Sequence, residues 1–327
     1  MPSPKIKYCP GTLAPGFDTY SRTCLKRMFN GRKVSHVLPY AAPKSNSKQN
    51  EKFEDNVVHI SISGVQEKFI VLLDKNKLRL THEGERGAYI LKPIPAVNKN
   101  ADQLPANEHL TMQLAQQVYG IDTAENALVF FSNGEPAYLT KRFDVKEDGS
   151  KWAQDDFASL AGRTPQIHGA HYKYLGNYAD LFEIMKKYLP AYKSEAPKLF
   201  KLILFNYLFS NGDAHLKNFS VIETPMGDYR LSPAYDLLNT RLHIADKDFA
   251  LDDGLLPPSL AQGKIKKQFQ VLGNRAGISE KQCDTIITFM LSKSEKVEAM
   301  INASFLNDRM KRNYWQAYQT RFNKLSK

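Results

Sequence analysis

The 327-residue sequence is poor in cysteine and contains no long hydrophobic run. Its three cysteines, Cys9, Cys24 and Cys283, are too few and too widely spaced for a disulfide framework or a four-thiolate zinc site. The longest apolar stretch, FKLILFNYLF at 200–209, is well short of the ~20 residues that a membrane-spanning helix needs. The first residues, MPSPKIKYCPGTLAPG, lack the apolar core of a signal peptide. The sequence therefore predicts a cytoplasmic protein with no membrane partner.

The sequence also lacks the features of proteins that bind nucleic acid directly. The net charge of +11 suits anionic ligands. The basic residues are spread along the chain, however, without an arginine-glycine or serine-arginine block, and no segment has the pattern of a helix-turn-helix. A basic DNA-binding module without catalytic turnover is therefore kept only as an alternative, because charge alone is a weak indicator.

What is present is a change of pattern along the chain. After a polar stretch at 42–56, the runs VVHISIS, EKFIVLLD, KLRLT, AYILKPI, ALVFF and AYLTKRFDV predict antiparallel strands and hairpins. NEHLTMQLAQQVYG at 107–120 predicts a helix with Asn107 as its N-cap and Gly120 at its end. From about residue 155 the pattern is mainly helical, with a small strand pair at FSVIE and YRLSP. We expect an α+β, two-lobed fold with a short segment at 1–56, a strand-rich lobe at 57–145 and a larger helical lobe at 146–327, with a ligand between the lobes.

The segment SNGDAHLKNFS at 210–220 carries the strongest chemical signal. Phosphoryl transfer needs a carboxylate that takes the proton of the acceptor hydroxyl, and oxygen ligands for magnesium. Protein kinases supply both from one loop, as an Asp followed by four residues and an Asn, and Asp213 and Asn218 have this offset. Inside the loop, His215 and Lys217 are candidates for holding the phosphate. A polar surface turn is the alternative, but the apolar segments on both sides favour a catalytic loop.

Two further charged residues suit the same reaction. Asp236, in AYDLLNT, follows the predicted strand YRLSP, where a kinase places another metal-binding carboxylate. A turn or capping Asp is the alternative. Lys92, in YILKPI, lies on a predicted strand with apolar neighbours and needs an anion, either ATP phosphates or the carboxylate of Glu108. Reaching out to solvent is the alternative for Lys92.

A turn in SISGVQEKF at 61–69 adds a possible phosphate contact. Its Gly64 lies between two predicted strands, so that backbone N–H groups can approach phosphates. The segment is neither the Gly-rich loop of protein kinases nor a Walker A motif, and a plain hairpin is the alternative.

Taken in order, these motifs resemble a known family. SxSGVQxK, ILKP, NEHxxMxLA, KRFD, NGDAHLKNFS, SPAYDLLNT and RLHIADKDFAL are similar to the motifs of HipA-like serine/threonine kinases, the toxin components of bacterial toxin–antitoxin modules. The resemblance extends from about residue 57 to the C-terminus. The short front end is similar to that of HipT-type members.

The resemblance implies a role for each matching residue. Asp213 would be the catalytic base, assisted by His215 and Lys217, with Asn218 and Asp236 as magnesium ligands. ATP would be bound by Ser63, Gly64, Val65, Gln66, Lys68, Lys92, Lys141 and Phe143. Ser61 and Ser63 would be autophosphorylation sites. The chain departs from the family at Lys141, where an acidic residue is usual, so that only backbone contacts to adenine are expected there.

The resemblance also implies cofactors and partners. ATP and Mg²⁺ would be required, the substrate would be a protein such as an aminoacyl-tRNA synthetase, and DNA would be contacted through a helix-turn-helix antitoxin. The nearest alternative is a small-molecule phosphotransferase of the aminoglycoside or choline kinase type, whose HGD-x4-N loop has the same Asp-to-Asn offset. This sequence has Asn211 where that pattern has His.

Overall fold

The computed structural model describes residues 6–42, 67–96 and 99–327. The chain divides into two compact units that alternate along the sequence. The first takes in Met1–Gln113, Ala124–Ser150 and Ala299–Lys311, and the second takes in Leu114–Thr123, Lys151–Glu298 and Arg312–Lys327. Among the described residues, no helix combines the length and apolar character that crossing a membrane requires.

The first unit is built on a five-stranded antiparallel sheet. Its strands are β1 (Phe69–Asp74), β2 (Lys77–Leu80), β3 (Tyr89–Lys92), β4 (Asn126–Phe130) and β5 (Pro136–Lys141), in the order β2-β1-β3-β5-β4. Each corresponds to a predicted apolar run. The run VVHISIS and all but the first residue of the polar stretch 42–56 lie outside the described residues.

Helices also pack in the part of this unit that the structure describes. Helix α1 (Arg22–Phe29) is capped by Ser21, whose hydroxyl accepts from the backbone N–H of Cys24, and its buried face joins the core of the sheet. Helix α2 (Leu104–Gln113) is buried along its whole length and continues into a π-helical turn at Leu114–Val118. The prediction that Asn107 is the N-cap of this helix is wrong.

The helix starts three residues earlier because Pro105 fits its first turn and a 3₁₀ turn at Ala101–Gln103 leads into it. Asn107 therefore lies inside the helix, fully buried. The predicted end is confirmed, since Gly120 has a φ of 59° and adopts the left-handed conformation that stops a helix.

A segment from late in the chain completes the first unit. The backbone N–H of Asn307 donates to Oε1 of Gln103 at 2.8 Å, and the guanidinium of Arg309 donates to Oδ1 of Asn100 at 2.7 Å. The ring of Phe305 lies 6.0 Å from that of Phe130 on β4. Polar and aromatic contacts thus tie residues 299–311 to the sheet unit.

The second unit combines a small sheet with most of the helices. Its antiparallel strands β6 (Gln154–Asp156), β7 (Ser220–Glu223) and β8 (Tyr229–Leu231) lie in the order β6-β7-β8. The helices after residue 150 are α3 (Phe157–Leu160), α4 (Pro165–His168), α5 (Tyr178–Tyr188), α6 (Tyr192–Leu208), α7 (Ile265–Arg275), α8 (Glu280–Leu291), α9 (Ser294–Ala303) and α10 (Asp308–Ser326). The α+β class is as predicted, with one strand-rich and one mainly helical unit.

Helix α6 positions the candidate site. It is the predicted buried helix, and its C-terminal end is fixed by aromatic packing of Phe205 and Phe209 against Tyr119, with ring centroids 5.6 Å apart in both cases. Strand β7 begins at Ser220. The loop between them is therefore held at both ends by buried elements.

Candidate active site

The loop between α6 and β7 is fixed by side chains that bond its backbone. Ser210 adopts a left-handed conformation with a φ of 54°. The hydroxyl of Thr240 donates to the carbonyl of Ser210 at 3.0 Å and accepts from the N–H of Gly212 at 3.0 Å. The amide of Asn211 donates to Oδ1 of Asn206, on α6, at 3.0 Å. These hydrogen bonds fix the conformation of residues 210–212, immediately before Asp213.

Asp213 lies partly buried in an acidic setting. The hydroxyl of Tyr174 donates to its Oδ1 at 2.7 Å. Burial raises the pKa of Asp213, the charges of Asp246 and Asp236 act in the same direction, and the Tyr174 hydrogen bond and Lys173 oppose them. A base whose pKa is moved up towards the working pH accepts a proton more readily in a transition state.

Asn218 and Asp236, the two predicted magnesium ligands, lie next to each other. Nδ2 of Asn218 lies 3.5 Å from Oδ2 of Asp236, and Oδ1 of Asn218 accepts from the N–H of His215 at 3.2 Å. An amide oxygen keeps a second lone pair, so it remains able to bind a cation. Asp236 adopts a left-handed φ of 55°, which is uncommon for a residue other than glycine.

These two residues fit a magnesium ion by the chemistry of their donor atoms. Magnesium prefers oxygen ligands and usually takes one or two carboxylates together with water and phosphate. Within the described part of the chain, no group of three or more His, Cys, Asp and Glu side chains is suited to hold a metal.

His215 and Lys217 have different electrostatic situations. His215 is 6% exposed, and burial together with the charge of Lys173 lowers its pKa to about 3, so its ring is neutral at physiological pH. Burial alone would lower the pKa of Lys217, but its bond to Asp156 on β6, at 3.0 Å, makes the net shift upward. Contacts of either residue with phosphate stay predictions.

In the first unit, Lys92 and Glu108 form the pair that the sequence suggests. Nζ of Lys92, on β3, donates to Oε1 of Glu108, on α2, at 2.6 Å. Both are buried, with 4% and 2% of their surface exposed. Nζ also lies 5.3 Å from the ring centroid of Tyr138. A lysine on a strand paired with a glutamate on a helix is the arrangement that protein kinases use towards ATP.

The remaining predicted ATP contacts are only partly described. Lys68 is half-buried immediately before β1, and Phe143 is half-buried after β5. Nζ of Lys141 donates to Oδ1 of Asn30 at 2.8 Å, and burial lowers the pKa of Lys141. The other predicted ATP contacts, Ser63, Gly64, Val65 and Gln66, lie outside the described part of the chain, as does the predicted autophosphorylation site Ser61.

The sequence did not indicate Tyr174, Lys173, Thr240 or Asp246 as parts of this site. Tyr174 is one of 16 tyrosines, and no spacing distinguishes it. Asp246 belongs to the motif RLHIADKDFAL, but nothing in the motif shows that its carboxylate approaches the catalytic loop.

Comparison with known sequences places the chain among kinase-like proteins. The model of the HipA-like C-terminal domain family matches residues 60–298, well over half of the chain. A Haemophilus influenzae protein named "Putative kinase" is 24% identical over 310 residues, which cover 88% of this chain and 87% of that protein. A Sinorhizobium fredii protein named "Putative kinase Y4dM" is 29% identical over 255 residues, which cover 73% of this chain and 59% of that protein.

Solved structures show the same fold. HipA from Shewanella oneidensis, in its complex with HipB and operator DNA, superposes with a TM-score of 0.60 at 18% identity, over 88% of this chain and 72% of that chain. The Helicobacter pylori proinflammatory kinase CtkA superposes with a TM-score of 0.51 at 14% identity, over 79% of this chain and 90% of that chain. The sequence match and these folds together establish that this chain is a member of the HipA-like C-terminal domain family.

Proposed function

We propose that this protein is an ATP-dependent serine/threonine protein kinase that requires Mg²⁺. The observation that supports this most directly is the second unit's arrangement of Asp213 beside the pair Asn218–Asp236. A carboxylate with a raised pKa and two adjacent oxygen donors are what phosphoryl transfer needs from a protein.

Each residue would contribute one part of the reaction. Asp213 orients the acceptor hydroxyl and takes its proton, while Asn218 and Asp236 hold the metal. Lys92, kept in place by Glu108, neutralises phosphate charge. When bound, ATP would supply the phosphoryl group, and Mg²⁺ would screen the negative charge of the phosphates.

We further propose that the chain is the toxin of a toxin–antitoxin module in the cytoplasm. The Shewanella protein of similar fold is described in complex with HipB and operator DNA. By analogy, a helix-turn-helix antitoxin would bind this chain and make the main DNA contacts. A bacterial protein, such as an aminoacyl-tRNA synthetase, would be the substrate.

Labelled ATP tests the catalytic proposal. The purified chain, incubated with Mg²⁺, labelled ATP and a bacterial lysate, should label one or a few proteins. Asp213→Asn should abolish labelling, while Asp228→Asn, at an exposed hairpin position, should retain it. Labelling of small molecules in place of proteins would favour the small-molecule phosphotransferase, and full activity of Asp213→Asn would refute the assignment of the base.

Mass spectrometry tests autophosphorylation. We expect phosphate on Ser63, Ser61 or both in the wild type after incubation with Mg²⁺-ATP, and none in Asp213→Asn. A phosphate adds about −1.5 to −2 charge at pH 7, which opposes the entry of ATP phosphates nearby. If the wild type stays unphosphorylated but still labels lysate proteins, the autophosphorylation proposal is refuted, while the kinase proposal stands.

A further inference from the structure

Tyr174 is held rigidly beside the candidate base. Its ring stacks on His171, with centroids 4.9 Å apart, and meets the ring of His215 edge-on at 5.2 Å. Its carbonyl accepts from the backbone N–H of Asp252 at 2.8 Å. The hydroxyl then donates to Oδ1 of Asp213 at 2.7 Å. Packing and backbone bonds thus place this one hydroxyl at the carboxylate.

The hydrogen bond engages only one of the two carboxylate oxygens. Among the described residues, the Tyr174 hydroxyl is the group that bonds the Asp213 side chain. The torsion that turns an aspartate carboxylate is broad, so an unheld Asp213 would sample several orientations. With Oδ1 fixed, Oδ2 has a defined position from which to accept a proton.

The geometry points to Tyr174 as a positioning residue of this site, whose hydroxyl holds Oδ1 of Asp213 so that Oδ2 is presented to the acceptor hydroxyl. This inference rests on the proposed kinase function. A general base must lie within hydrogen-bond reach of the proton that it takes, and misplacement by about 1 Å can cost ~100-fold in rate.

A competing interpretation is that Tyr174 occupies the place of the acceptor hydroxyl and blocks the site. The contacts argue for a fixed support. Releasing Tyr174 would break its stacking on His171 and its backbone bond to Asp252, and the exposed imidazole of His171 is itself paired with the Asp252 carboxylate at 3.0 Å. A second backbone bond, from the N–H of Asp253 to the carbonyl of Gly176 at 3.0 Å, holds the same segment.

Tyr174→Phe separates these interpretations because it removes the hydroxyl and keeps the ring. We would measure initial rates of transfer from Mg²⁺-ATP to the most strongly labelled lysate protein, once purified. We expect kcat to fall about 10- to 100-fold with the KM for ATP unchanged. If Tyr174 blocks the site, kcat/KM for the protein acceptor should rise in this variant. Such a rise would overturn the inference.

Tyr178→Phe is the matched control. Its hydroxyl donates to the carbonyl of Ala214 at 2.8 Å, in the same loop, but does not touch the carboxylate of Asp213. We expect kcat of this variant to stay within about 2-fold of wild type, since the base keeps its orientation. Equal losses in the two tyrosine variants would indicate general loosening of the loop and would overturn the positioning role.

A crystal structure of Tyr174→Phe gives a readout that does not depend on activity. The Asp213 carboxylate should rotate away from its wild-type orientation or become disordered. An unchanged carboxylate together with unchanged kcat would overturn the role of Tyr174 alone. A wild type that transfers no phosphate to any protein would instead overturn the proposed function, and the catalytic role of Tyr174 with it.

Discussion

The carboxylate of Asp246 lies directly against the Cα of Gly212, the residue that precedes the candidate base. A methyl group at position 212 would overlap all three carboxyl atoms of Asp246. Oδ1 of Asp246 accepts from the N–H of Lys247 at 2.7 Å, so the carboxylate is anchored in this position. The absence of a side chain at Gly212 is therefore a steric requirement of the acidic environment around Asp213.

Gly212→Ala should reduce activity. The added methyl group must displace either Asp246 or the loop, and a displaced loop moves Asp213. We expect kcat to fall on the order of 10-fold or more, measured as phosphate transfer to a lysate protein. Asp246→Ala in the same chain should relieve the overlap, so the double variant should be more active than Gly212→Ala. A double variant that is less active would contradict the steric explanation.

Asp236→Asn should weaken metal-dependent nucleotide binding. The change removes a negative charge from the proposed magnesium site and leaves the shape of the side chain intact. We expect the Kd for Mg²⁺-ATP, measured by calorimetry, to rise about 10-fold or more, with little change in the Kd for ATP without magnesium. Asp228→Asn is the control. Equal affinity of Asp236→Asn and wild type would exclude Asp236 as a ligand.

Lys92→Met should destabilise the fold as well as impair ATP binding. It leaves the buried carboxylate of Glu108 without its ammonium partner, and breaking a buried pair in this way costs about 3–5 kcal/mol. Chemical denaturation measures this loss. The double change Lys92→Met and Glu108→Leu should recover much of the stability, because it removes both charges. ATP affinity should remain low in the double variant, which separates the structural role of the pair from its proposed role in nucleotide binding.

His109 should make stability depend on pH. Burial lowers its pKa to about 4, partly opposed by the backbone carbonyl of Gly11, whereas an unfolded histidine has a pKa near 6.5. Between these values only the unfolded chain binds the proton, so stability present above pH ~6.5 is lost as the pH falls, by roughly 3 kcal/mol at pH 4. His109→Leu should flatten this part of the curve in urea titrations, with the exposed His82→Leu as control. An unchanged slope would contradict the prediction.

Local patterns predicted the strands and the loop well because they depend on neighbouring residues. Alternating apolar runs became β1 to β5, and the Asp213–Asn218 offset was placed between a buried helix and a strand. The pair of Lys92 with Glu108 was also foreseen, since a lysine on a buried strand needs an anion. The roles of these residues stay predictions, as does the division of the chain at residues 56 and 145.

Contacts between distant segments could not be predicted in this way. Tyr174 precedes Asp213 by 39 residues, and Asp246 follows Gly212 by 34, so only the tertiary fold brings them together. The start of α2 was misplaced for a related reason. Asn107 has the propensity of a cap, but tertiary burial of the whole helix outweighs that local preference.

The return of residues 299–311 to the first unit has a consequence for synthesis on the ribosome. The last strand of the sheet is complete once residue 141 has been made, but the residues around Phe305, whose ring packs against Phe130 on β4, are synthesised much later. At about 5–20 residues per second, the nascent sheet waits roughly 10–30 s for them. During this interval the surface that will receive Phe305 is uncovered. A chaperone that binds apolar surface can therefore act before residue 305 has been made, and a chain truncated before residue 299 would keep this surface uncovered.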